Sequence, residues 1–171
     1  ARYGQEIGVA GQITELAQTW TPMSKSAEQI LASEGAVMTL AGNAVNFVNG
    51  VPQLQAQLNE VVRAMAGSGA SSAQTYNALQ QVVVIGSMAR RVTEIRAGGS
   101  AASGAGDALA RDMVVFTQVL DGLSKGNAEL GLAPVRNAAA QSALDQSIKQ
   151  WEGMKKDADA ILASSRHLFA A

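Results

Sequence analysis

The sequence predicts an all-α protein, an antiparallel bundle of long helices, and three observations carry that prediction. Apolar residues recur at alternating spacings of three and four along most of the 171 residues, the period of a helix with one buried stripe. Hydrophobic residues make up 47% of the chain but aromatic ones only 4%, so the apolar content is small and aliphatic and suits close helix packing better than a β-sandwich. Proline is confined to Pro22, Pro52 and Pro134, while much of the glycine gathers in clusters that read as turns: Gly67-Ser68-Gly69, the stretch from Gly98 to Gly106, and Gly126 to Gly131.

Five stripes follow. The first runs Ile13, Leu16, Trp20, Met23, Ala27, Ile30 and predicts a buried face. The second is Val37, Ala41, Ala44, Val48, then Leu54, Leu58, Val61, Met65, and the third is Ala78, Val82, Ile85, Met88, Val92, Ile95. Leu109, Met113, Phe116, Leu120, Leu123 form the cleanest stripe, and Leu144, Ile148, Trp151, Ala158, Ile161, Ser165, Leu168 form the last. The longest strand-like run, Val82-Val83-Val84-Ile85, lies inside a helical period.

Helix ends are partly marked. Ser71 or Ser72 is the expected cap of the third segment, Asp107 that of the fourth, and Gly126-Asn127 its end. Ser33-Glu34-Gly35 reads as a turn between the first two segments, although the apolar period crosses it with little phase error. Thr21-Pro22 fits a helix start, with Thr21 as cap; the stripe nevertheless passes straight through, which fits a kinked continuous helix.

An internal repeat favours continuity. Trp20 to Ser33 (WTPMSKSAEQILAS) and Trp151 to Ser164 (WEGMKKDADAILAS) align without gaps at an offset of 131 residues, with eight identities that include the tryptophan. Ile13 and Leu144 are equivalent at the same offset. The sequence therefore divides into residues 1–67, the C-terminal helical part of one module, and 71–171, most of a second copy. Trp20 and Trp151 read first as core anchors.

Charge and composition exclude several functions. A net charge of −1 gives no field that would draw nucleic acid, and no cysteine is present for a disulfide, a thiolate metal site or a thiol nucleophile. A single histidine, His167, supplies no zinc set. Asp157 and Asp159 stand two apart on a helix and diverge, while Glu15, Glu28 and Glu34 read as a solvated face. No catalytic residues, metal or cofactor are expected, and the chain reads as a non-enzyme. No window approaches ~18 uninterrupted apolar residues, and no signal peptide is visible. A start at Ala1 and an apolar helical ending through His167 to Ala171 suggest an excerpt whose membrane anchors lie elsewhere.

Candidate interaction residues cluster on the third segment. Gln80, Gln81 and Ser87 flank the apolar run, and Arg90-Arg91 is a concentrated positive pair on the same segment, so these five are the candidate small-ligand set. Solvated arginines near a helix C-terminus are the plainer reading of the pair. Val83 and Val84, opposite the bundle stripe, are the candidate dimer or partner contact.

Several segments, in order and at matching spacing from about Ile13 onward, resemble the periplasmic domain of type IV pilus methyl-accepting chemoreceptors, the PilJ-like family. They are Lys25 to Glu34 (KSAEQILASE), Val51 to Gln55 (VPQLQ) with Glu60-Val61-Val62, Arg111-Asp112 through Phe116 to Val119-Leu120, and the run from Gly122 to Ala128. The resemblance implies a four-helix-bundle sensor module, akin to those of nitrate/nitrite sensor kinases, in two copies between two membrane helices. It also implies an inner-membrane receptor that is homodimeric, interacts with type IV pilin and controls twitching motility and surface sensing. Related modules carry an anion-recognising arginine motif on the helix corresponding to Ser72–Ala97. Here its middle is Val82 to Ser87, which argues against nitrate-like binding. Partner docking on the outer surface is preferred to a buried small-molecule site, because alanine-rich seams leave little room between helices. A passive helical spacer is the third reading.

Overall fold

In the computed structural model the backbone is described for residues 2–169 and the side chains for residues 9, 11–28, 31, 33–166 and 168. The side chains of Ile30, His167 and Phe169, and all of Ala1, Ala170 and Ala171, lie outside the described residues.

Each helix boundary has a local cause. α1 (Arg2–Gly67) ends where Gly69 takes a φ of 76° and the Ser68 and Ala70 N–H groups donate to the Met65 carbonyl. α2 (Ser72–Ala97) starts on Ser71, whose hydroxyl accepts from the Gln74 N–H at 3.2 Å, and stops at Gly98, with φ 74°. α3 (Ala101–Lys125) closes on Gly126, with φ 91°. The 126–137 connection then folds back: Asn127 and Leu132 exchange two backbone hydrogen bonds of 2.8 Å, and the Val135 N–H donates to the Leu123 carbonyl. Asn137 caps α4 (Ala138–Phe169), its Oδ1 accepting from the Ala140 N–H at 3.0 Å.

The four helices pack around one core, each antiparallel to the next. α1 neighbours α2 and α4, α3 neighbours the same two, and α3 and α4 are the most loosely apposed adjacent pair. From α1 the core takes Leu40, Ala44, Phe47, Val51, Leu54, Leu58, Val61 and Met65. Against these pack Ile85, Met88, Val92 and Ile95 of α2, Leu109, Phe116 and Leu123 of α3, and Leu144, Trp151, Met154 and Ile161 of α4. Leu132 and Val135 of the connection plug one end. The Trp151 ring tilts against Phe116 with centroids 4.7 Å apart, and its Nε1 donates to the Thr117 hydroxyl at 3.0 Å, which satisfies the indole inside the core. A Cβ on Gly50 would meet the Met154 sulfur at 3.0 Å, so α1 and α4 approach closely there.

Four expectations need correction. Ser33-Glu34-Gly35 is helix, not a turn: Gly35 is absent from the positive-φ glycines, and one interior glycine costs only about 1 kcal/mol in a helix of 66 residues. The five segments are consequently four helices, and α1 is helical through Pro22 and Pro52. Asp107 does not cap α3, which begins six residues earlier at Ala101, because only Gly98 and Gly99 of the glycine-rich stretch leave helical space. The stripe Ile13, Leu16, Trp20, Met23 is exposed throughout, since the other described helices do not reach that part of α1. Finally, Val37 and Val48 face solvent, and the buried row before Leu54 is Leu40, Ala44, Phe47, Val51.

Candidate partner-binding surface

On α2 a row of apolar side chains points away from the core. Tyr76, Leu79 and Val83 stand at helical spacings of three and four and are 59%, 43% and 58% exposed. Scattered exposed aliphatic residues are ordinary, but three in register on one helix face make a strip that a partner helix or sheet can cover. Val83 belongs to the strip; Val84, expected beside it on the outer face, is instead half-buried against the core, because it lies about 100° further round the helix. Tyr76 and Leu79 were not singled out in the sequence. Their i, i+3, i+7 relation to Val83, one step off the core stripe, is the signal that marks them.

The five polar candidates divide between faces. Gln81 is buried, its Nε2 donating to the Asn77 carbonyl at 3.1 Å. Arg91 reaches across to α3, where its Nε lies 2.8 Å from Asp112 Oδ2 with both side chains about a third exposed or less, an ion pair that ties α2 to α3. Gln80 and Ser87 are half-buried on the same flank of α2 as Arg91, Ser87 and Arg91 lying seven and eleven residues after Gln80. Arg90 is exposed and donates to the Ser87 hydroxyl at 2.7 Å. The structure thus gathers Gln80, Ser87 and Arg91 along the α2–α3 flank and turns Gln81 inward. None of the five lines the larger grooves.

An apolar groove lies between α3 and α4. Its 460 Å³ are floored by Met113, Val114 and Leu162 and rimmed by Lys155, Asp159 and Arg166, with Lys155 Nζ and Asp159 Oδ2 paired at 2.7 Å. It forms where the two helices are most loosely apposed. Among the described residues no group of His, Cys, Asp or Glu is placed to hold a metal, and no helix is long and apolar enough to cross a membrane.

The chain is a helical bundle with a long leading helix and apolar rows open on its outside. Comparison gives the family. Residues 87–171 match the family described as type IV pili methyl-accepting chemotaxis transducer N-term, and the chain carries a domain of that PilJ family. It is 32% identical over 161 residues to protein PilJ of Pseudomonas aeruginosa, covering 94% of this chain and 24% of that protein. It is 26% identical over 166 residues to the methyl-accepting chemotaxis relative AlkN of Alcanivorax borkumensis, covering 96% of this chain and 25% of that one. The chain therefore spans about a quarter of the length of the curated relatives it matches. The resemblance read from the ordered motifs is the family found, and that family is a transducer domain, not an enzyme class.

Proposed function

We propose that this chain is the periplasmic signal-input segment of a membrane-anchored, homodimeric chemoreceptor that controls type IV pili, and that a pilin docks on the outer face of α2. The exposed row Tyr76, Leu79, Val83, on a chain that carries a transducer domain, is the observation that supports this reading. Helices of 25 to 66 residues suit the task because they are stiff: at 1.5 Å per residue the longest is roughly 100 Å. Docking that favours one packing of the bundle over another shifts one helix against its neighbours by a small slide or rotation. A continuous helix carries that shift onward as a rigid-body movement. The Arg91–Asp112 pair across α2 and α3 is one contact such a slide would have to repack.

The α3–α4 groove favours a second reading, a small-molecule sensor, since its apolar floor and charged rim suit an amphiphilic ligand. The polar set Gln80, Gln81, Ser87, Arg90 and Arg91 serves that reading only if the α2–α3 flank opens, because Arg91 is held by Asp112.

In the encoded receptor, in-frame removal of residues 40–168 takes out the bundle as a unit. The expected result is normal membrane abundance with loss of twitching motility; an unchanged twitching zone at normal abundance contradicts the proposal. Sedimentation of the solubilised receptor as a monomer would contradict its homodimeric form.

A further inference from the structure

We propose that the α3–α4 groove binds a free apolar α-amino acid, its carboxylate on Arg166, its ammonium on Asp107 and its side chain along the apolar floor. This rests on the small-molecule reading of that groove and names the ligand class. The 460 Å³ groove adjoins a second one of 240 Å³, since Leu162 and Arg166 line both. The two parts differ in chemistry. The larger presents Ala110, Met113, Val114, Leu162 and Ala163, and its volume falls in the range of sites that take small ligands. The smaller presents Ser103, Asp107, Ser165 and Arg166.

The polar end is defined by its charges. Asp107 stands on α3 and Arg166 on α4, both exposed, and among the described residues neither makes an ion pair. Elsewhere on the rim the charges are already matched, with Lys155 Nζ 2.7 Å from Asp159 Oδ2. One end of the groove thus keeps an anion and a cation on opposite walls, and an apolar floor leads away from them. The complementary molecule carries a carboxylate, an ammonium and an apolar tail on one small frame, which describes an apolar α-amino acid. A fatty acid would leave its head facing Asp107, and an aliphatic amine would leave its head facing Arg166. A guanidinium takes a carboxylate through two parallel hydrogen bonds, and a carboxylate accepts from an ammonium. Ser165 is 5% exposed and donates its hydroxyl to the Leu162 carbonyl at 3.0 Å, which leaves its oxygen to accept. Because α3 and α4 are the most loosely apposed adjacent pair, a molecule held by one charge from each favours a closed packing of the two.

The test is calorimetric titration of the 171-residue chain with L-phenylalanine and with analogues that each lack one part. L-Phenylalaninamide lacks the carboxylate, N-acetyl-L-phenylalanine the ammonium, and L-alanine the tail. Saturable binding of phenylalanine is expected, weakened at least about tenfold by each deletion. Arg166→Gln should abolish the preference over the amide, and Asp107→Asn the preference over the N-acetyl compound. Both side chains are exposed, so helical circular dichroism should not change in either variant. 2-Phenylethanol, with the tail and neither charge, separates this proposal from the reading beneath it. If it binds as tightly as phenylalanine, the amino-acid proposal falls and the small-molecule reading stands. If neither binds by about 10 mM, both fall. Phenylalanine affinity that is unchanged in both variants overturns the proposal. So does affinity that drops as the chain is concentrated, which would assign the groove to a second copy.

Discussion

Replacing Trp151 by alanine is expected to destabilise this chain by about 3–5 kcal/mol, whereas Trp20→Ala should stay within about 0.5 kcal/mol of the wild type. The two tryptophans head the same repeated motif, so sequence alone assigns them the same weight. Their surroundings do not. Trp151 fills the core between α3 and α4, tilts on Phe116 and donates to Thr117, so truncation leaves a large cavity and an orphaned contact on each side. Trp20 stands in solvent on a part of α1 that the other described helices do not reach. Urea unfolding followed by helical circular dichroism measures both. Equal losses in the two variants would mean that the first half of α1 is packed after all.

Gly122→Leu is expected to cost about 1–3 kcal/mol, the usual range for overpacking a filled site. A Cβ at Gly122 would lie 2.7 Å from Leu132 Cδ1 and 3.1 Å from Asn127 Cβ, so a leucine there has to lift the 126–137 connection off α3. That connection is held by the Asn127–Leu132 bridge and by Leu132 and Val135 in the core. Gly104 supplies the contrast. It lies within α3 with nothing near its would-be Cβ, so Gly104→Ala should stabilise by about 0.5–1 kcal/mol through helix propensity alone. A thermal melt that ranks Gly122→Leu level with the wild type would show that the connection packs elsewhere.

The contrast between the tryptophans shows where the sequence is sufficient and where it is not. The stripe Leu109, Met113, Phe116, Leu120, Leu123 is legible because every residue in it is large and apolar and recurs at spacings of three and four, and all five are buried. Ser71 and Gly126 are legible as helix ends because a cap and a positive φ are local requirements. Gly35 is not, since a glycine in a helix and a glycine in a turn look alike until the backbone angle is known. Asp107 fails for the same reason, six alanine, serine and glycine residues being able to continue a helix as well as to break it. The exposed row of the first half of α1 has the periodicity of a buried face, and periodicity reports that a face wants cover, not whether this chain supplies it. At the candidate surface, Val83 was legible as lying opposite the stripe, while Tyr76 and Leu79 emerge only once the α2 register is fixed by Ile85 and Met88 in the core. The pairing of Arg91 with Asp112 had no signature in sequence, because it joins two helices whose relative register is set by packing.

Calorimetric titration of the purified 171-residue chain, and of its Val83→Asp variant, with soluble N-terminally truncated type IV pilin tests the central claim most directly. The expected result is saturable binding that survives moderate salt and is weakened at least about tenfold, or about 1.4 kcal/mol, by the charge placed in the apolar row. No heat with the wild-type chain up to about 100 μM, equivalent to binding weaker than about −5.5 kcal/mol, would contradict pilin docking on α2.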